Sequence, residues 1–175
     1  MKKYIAIALF FLLFCAKLSA QSITYVDSEY ILRHVPEYSS AQKQLDAFAL
    51  KWQKDIDDKF ISLEKLQKDY QADMVLLTDD MRKSREIEIS QKEKEVKDLQ
   101  QQKFGFEGEL YQQKVKLIKP IQERVAKAIE EYASRQNIDI VLDKSSVTLL
   151  FARPNYDGTN DIIIKMGYKP GSFAK

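Results

Sequence analysis

The sequence predicts an α+β protein, in which a small β-containing body carries a long antiparallel helical hairpin, a coiled-coil arm. Three observations lead there. Strand-like stretches lie towards both ends, at 22–26 and 138–143. Between them, the 68 residues 37–104 contain neither Gly nor Pro. Across that stretch apolar side chains recur every three or four positions, the period of one helix face.

The chain opens MKKYIAIALFFLLFCAKLSAQS. Basic Lys2 and Lys3, an apolar run over 4–16 and the small-residue ending Leu18, Ser19, Ala20 read as a secretory signal over 1–20, cleaved after Ala20. The run is too short to span a bilayer, which takes about 20 apolar residues. Phe14 stands where a lipoprotein signal with Cys15 as its acylated residue would carry a small side chain. The signal holds Lys2, Lys3 and Lys17 and no acid. Of the chain's 28 basic and 26 acidic residues, 25 and 26 therefore remain in the mature protein, for a net charge near −1. That balance excludes a basic nucleic-acid binder. Cys15 is the single cysteine and leaves with the signal, so disulfides, a thiol nucleophile and a zinc–thiolate site are set aside.

The alternating, β-branched stretch 22–26 reads as a strand. Asp27 or Ser28 caps a short helix over 29–34, and Pro36 suits the first turn of the next, where its missing N–H is not needed. The long stripe follows: Leu45, Phe48, Trp52, Ile56, Phe60, Leu63, Leu66, Tyr70, Met74, Leu77 and Met81, about five heptads of one face. The other faces are charged, with pairs such as Glu64 and Lys68 at helical spacing. The stripe thins over 82–97 and resumes from Val96 to Tyr132. IDIVLD, 138–143, reads as a strand, and VTLLFA, 147–152, as another. A turn is expected over 154–158, then a last helix over 161–166, capped by Thr159 or Asn160 and ended by Gly167.

The two outer strands can share one sheet only if the chain travels out and comes back. The arm is therefore 37–136, and the body is 21–36 with 137–175. The hairpin tip is expected within 77–86: composition favours Thr78, Asp79 and Asp80, whereas equal legs place it near 86. A leg of roughly 45 residues is about 65 Å long at 1.5 Å per residue. A body of roughly 60 residues with few large apolar side chains is too small to stand alone, which predicts an oligomer with a shared core.

Nothing in the sequence assembles an enzyme, a cofactor site or a metal site. The one histidine, His34, has no evident partner and reads as structural or exposed. No strained turn presents a serine, and Gly105-Phe-Glu-Gly108 lacks the Lys-Ser/Thr of a phosphate loop and lies in a helical context. Carboxylates alternate with lysines, as on a solvated helix. Phe48, Trp52, Phe60, Tyr70, Phe104, Phe106 and Tyr111 are arm aromatics that serve either as seam residues or as an apolar surface offered to another chain. Gly105, Gly108 and Pro120 weaken the return leg. They are read as a hinge or kink, with close helix packing as the other account of the two glycines.

In this order, signal, strand, charged hairpin and strands, the chain resembles the OmpH-like (Skp) family of periplasmic chaperones. ITYVDSEYILRHVPEY resembles the family's first strand and short helix, and AIEEYASRQNIDIVLDKSSVTLLFA its later strands. FGFEGELYQQKVKLIKPIQERVAKAI is similar to a form of the arm common among Bacteroidetes-type members. The resemblance implies a homotrimer whose β segments build a shared trimerisation body. It implies helical tentacles around a cavity that holds unfolded outer-membrane proteins in the periplasm without ATP. The near-neutral mature chain leaves, on the lipid side, only a transient contact with a membrane surface. A structural coiled-coil spacer or adaptor of the cell envelope, docking through its arm tip, is the alternative reading.

Overall fold

The computed structural model describes residues 21–174; the signal expected over 1–20 lies outside the described residues. The chain is mostly helical with one two-stranded sheet. In order come β1 (Ile23–Val26), α1 (Ser28–Leu32), α2 (Pro36–Asp73), α3 (Asp79–Phe104), α4 (Glu109–Gln136), β2 (Ile140–Asp143), a 3-10 turn (Pro154–Tyr156) and α5 (Thr159–Lys165). Two compact units result. Among the described residues one comprises 21–31 with 125–170, and the other 32–124 with 171–174.

In the first unit, β1 and β2 pair in parallel, from Ile23 opposite Ile140 to Val26 opposite Asp143. Parallel pairing needs a long connection between the two strands, which the arm supplies. The other side of β1 is used at Tyr25, whose carbonyl accepts the Gly158 N–H at 2.9 Å beside a bridge to Asp157. The expected strand over 147–152 does not form. Its residues favour strands, but a strand needs a partner edge: the far side of β1 is engaged at Tyr25, and the segment does not pair with the remaining edge of β2. Leu150 and Phe151 are left 96% and 83% exposed. Val26, Ile31, Ile162 and Ile163 are fully buried, each side chain contributing about 1.5–3 kcal/mol.

Local hydrogen bonds set the ends of the short helices. The Asp27 carboxylate accepts the Tyr30 N–H at 2.7 Å and caps α1. At α5 the expected Thr159 or Asn160 cap is replaced by Gly158, because the Thr159 hydroxyl accepts the Asp27 N–H at 3.0 Å instead. Gly167, at φ +85°, ends α5 as expected, and the Tyr168 N–H reaches back to the Ile163 carbonyl at 3.0 Å.

Asp143 ties the end of β2 to the start of α1. Its Oδ1 accepts the Ser28 and Ser145 N–H groups at 3.1 and 3.0 Å and the Ser145 hydroxyl at 2.8 Å. Its Oδ2 accepts the Ser28 and Ser146 hydroxyls at 2.6 and 3.1 Å. Burial on its own raises the carboxyl, but the hydrogen bonds from Ser28 and Ser145 outweigh it and bring it down from 3.8 to about 2.

In the second unit, α2 starts on Pro36 and runs 38 residues, about 57 Å at 1.5 Å per residue. Ala41, Leu45, Trp52, Ile56 and Leu63 form its buried stripe. The chain turns over 74–78, overlapping the expected 77–86 only at Leu77 and Thr78. Capping decides the place, not leg symmetry: the Thr78 hydroxyl accepts the Met81 N–H at 3.4 Å, and Asp79 and Asp80 complement the helix dipole in the first turn. α3 returns antiparallel to α2. Tyr70 bonds Glu86 at 2.7 Å, Gln67 bonds Glu93 at 2.8 Å and Trp52 meets Phe104, so partners descend as positions rise.

The return leg is not one helix. α3 stops at Phe104, the chain leaves helical geometry over 105–108, and α4 begins at Glu109. Pro120, by contrast, sits on the exposed face of an unbroken α4, between buried Ile118 and Ile121. His34 is structural. It is 2% exposed, its Nε2 accepts the Gly171 N–H at 3.0 Å, and the Phe173 ring lies 4.9 Å from its own.

Candidate functional site

The candidate site is the hairpin of the second unit together with the break in its return leg. α2 and α3 pack through Ile56, Leu63 and Val96, flanked by Ile89, Leu99 and Phe104. Val96 is the one buried residue of α3, so the thinning of the stripe over 82–97 corresponds to a sparsely packed seam. Ion pairs along the outer faces, such as Lys54 with Asp58 at 2.6 Å and Lys68 with Glu64 at 2.7 Å, are solvent-exposed and add little stability.

The seven arm aromatics separate into two groups. Phe48, Trp52 and Phe104 come together: Phe48 stacks on Trp52 at 5.4 Å and Phe104 meets the indole edge-on at 6.4 Å. Trp52 also lines a groove of about 340 Å³ with Asp55, Asp58, Lys59, Leu99 and Lys103. Tyr70 is half-buried and its hydroxyl donates to Glu86, a bond that raises the phenol above its usual range. Phe60, Phe106 and Tyr111 are exposed. Phe106 is 97% so, and Phe60 lines a groove of about 750 Å³ with Ile56, Leu63 and Val96.

Sequence reasoning missed the off-stripe apolar side chains. Leu50 and Ile61 are exposed on α2, and Val75 and Leu76 are 82% and 83% exposed at the turn. The only signal for them was that they fall outside the three-four spacing. The hairpin thus presents separated apolar spots set among Lys, Asp, Glu and Gln.

At the break, neither glycine has a left-handed backbone; the residue at positive φ is Glu107, at 54°. The glycines are needed for close approach. A Cβ on Gly105 would stand 2.3 Å from the Gln101 carbonyl oxygen, and one on Gly108 2.9 Å from that of Gln102. Their close neighbours are therefore the last turn of α3, not a second helix. Gly105 N–H still bonds the Gln101 carbonyl at 2.8 Å, and Gly108 N–H bonds the Gly105 carbonyl at 2.9 Å. Across the break, the Glu109 carboxylate accepts from Lys103 at 2.6 Å and from Gln102 at 2.9 Å. Lys103 also stands over the Trp52 ring, 5.0 Å from its centre. Farther along α4, Arg124 bonds Glu37 of α2 at 3.0 Å and draws that carboxyl below its usual range.

Among the described residues no cluster of His, Cys, Asp or Glu is arranged to hold a metal ion, and no helix is long and apolar enough to cross a membrane.

Residues 22–166 match the family described as outer membrane protein (OmpH-like). No curated protein matches the chain in sequence. A crystal structure from Caulobacter crescentus, of a candidate outer membrane chaperone described as OmpH-like, aligns with a TM-score of 0.65 and 14% identity. The alignment covers 90% of this chain and 91% of that one, which at such identity shows a shared fold. The family match runs from the residue before β1, through the hairpin, to the end of α5, and the chain belongs to the OmpH-like outer membrane protein family.

Proposed function

We propose that the protein is an ATP-independent holdase chaperone of the periplasm, which binds unfolded outer-membrane proteins between helical arms and prevents their aggregation. The observation that carries this reading is the hairpin surface: exposed apolar side chains such as Phe60, Ile61 and Phe106 scattered among charges, with Phe60 lining an open groove. Such a surface suits many weak contacts with an extended chain, and several arms acting together raise affinity by multivalency. Membership of the family and the fold shared with a candidate chaperone support it.

In this reading residues 1–20 are a cleaved export signal, 21–36 with 137–175 form the oligomerisation body, and 37–136 form the arm. Three copies share the body. The exposed Leu150 and Phe151, which no described residue of the chain covers, support an oligomer. Gly105, Gly108 and Pro120 let the arm adjust to clients, and the exposed aromatics Phe60, Phe106 and Tyr111 touch them. The test is dilution of a urea-denatured outer-membrane β-barrel into the mature chain without ATP, with mass read by light scattering in the same sample. Suppressed aggregation at about one trimer per client is expected, and a trimer that leaves aggregation untouched overturns the holdase.

One observation favours the spacer or adaptor instead. Val75 and Leu76 are largely exposed at the hairpin turn, where a docking tip would lie. In that case Leu76→Ser abolishes docking, and no denatured barrel is captured.

A further inference from the structure

The break over 105–108 is tied together more than a passive soft spot requires. Both oxygens of the Glu109 carboxylate accept from the last turn of α3, from Lys103 at 2.6 Å and from Gln102 at 2.9 Å. The side chains of Lys103 and Glu109 are only 18% and 34% exposed, so solvent screens the pair less than the arm's outer ion pairs. Lys103 is also held over Trp52 of α2. One ammonium group therefore touches the end of α3, the first residue of α4 and the facing helix.

This arrangement exists only in the broken conformation. In one continuous helix, positions 103 and 109 would lie six residues apart, about 120° around the axis and about 9 Å along it, beyond ion-pair reach. Positions 102 and 109 would share a face but stand about 10 Å apart. The carboxylate therefore bonds the broken state and not the straight one, which is the differential interaction that a two-state element needs. Opposing it, Glu107 at φ 54° carries a conformation disfavoured for a residue with a Cβ, and straightening would relieve it.

We infer that Lys103, Gln102 and Glu109 form a charge-gated latch that holds the arm broken at 105–108 against one continuous helix. Salt, or a carboxylate competing for Lys103, releases it. The inference rests on the proposed hinge at Gly105 and Gly108 and not on what the arm binds.

The experiment uses the full mature chain. Once Cys15 has left, it has no cysteine, so spin labels at introduced cysteines Gln91→Cys and Lys116→Cys, both exposed, are unique. They flank the break, and a continuous helix would separate them by about 37 Å along its axis. The distance distribution is measured in the parent, Lys103→Met, Glu109→Gln and, as control, Lys54→Met, at about 0.05 and 1 M salt. Lys103→Met keeps an apolar stem of similar length, so packing on Trp52 is largely retained. Both latch variants are expected to raise the ratio of straight to broken arms roughly three- to tenfold, salt to do the same to the parent, and the control to change nothing. Gly105→Ala/Gly108→Ala separates the two levels of the reasoning. If it shifts the distribution while the latch variants do not, the hinge stands and the latch is overturned. If no variant shifts it, the hinge reading fails with it.

Discussion

Replacing Asp143 with Asn tests the tie between β2 and α1 in the first unit. The carboxylate accepts from Ser28, Ser145 and Ser146, and its pKa is brought from 3.8 to about 2. At about 1.36 kcal/mol per unit this corresponds to roughly 2.4 kcal/mol, an upper figure because the group is partly solvated. Asn keeps one acceptor oxygen but turns an NH2 towards hydroxyl and amide donors, so a loss of about 1–2 kcal/mol at neutral pH is expected. The sign in pH follows from the direction of the shift. A carboxyl depressed in the folded state contributes fully above its unfolded value, and the contribution is lost as pH falls through the folded value. The parent's advantage over Asp143→Asn should be level above about pH 5 and shrink between about pH 4 and 2. Urea unfolding followed by circular dichroism, at one protein concentration because an oligomer is proposed, measures it at each pH. Equal stability of the two proteins at pH 7, or a difference unchanged down to pH 2, would refute the reasoning.

Three further outcomes are expected. Trp52→Ala removes the indole that Phe48 and Phe104 pack against, so the hairpin should lose about 2–4 kcal/mol in urea, whereas the highly exposed Phe106 can be changed to Ala within about 0.5 kcal/mol; equal effects would contradict the division of the aromatics. Gly105→Ala/Gly108→Ala introduces Cβ atoms that collide with the Gln101 and Gln102 carbonyls in the broken form, and each change favours helix by about 1 kcal/mol. Mean-residue ellipticity at 222 nm should therefore rise by the equivalent of several residues, and an unchanged spectrum counts against the two-state break. Leu150→Asp/Phe151→Asp places charge on the exposed 147–152 segment and should lower the mass seen by light scattering; an unaltered mass would remove that segment from the subunit interface.

The local elements were legible because they depend on nearest neighbours along the chain. The three-four spacing from Leu45 to Leu63 is a helix wherever it folds, Pro36 and Asp27 start helices by their own chemistry, and Gly167 ends one. The parallel sense of β1 and β2 was not fixed by chain order, since a connection as long as the arm can return the chain to either end of the sheet. The parts that were not legible depend on residues far apart in sequence. VTLLFA has the composition of a strand, but whether it pairs depends on which sheet edge the folded chain brings beside it. The stripe contains Trp52 and Phe60 alike, and only the arrival of Phe104 and Lys103 from α3 covers the first and leaves the second in solvent. Gly105 and Gly108 announced a weak point, yet a Gly pair is compatible with a bent helix, a close crossing or a break. The chain breaks there in a geometry where Glu109 bonds Lys103 and Gln102, and the six-residue spacing of Lys103 and Glu109 is no helical period that would betray it. Asp143 is likewise one more acid in the sequence, and only folding brings Ser28, 115 positions away, within bonding distance of it. Periodicity and capping act over a few residues and can be read in order. Edge pairing, burial and the gathering of donors around a charge act through space, and only the folded chain decides them.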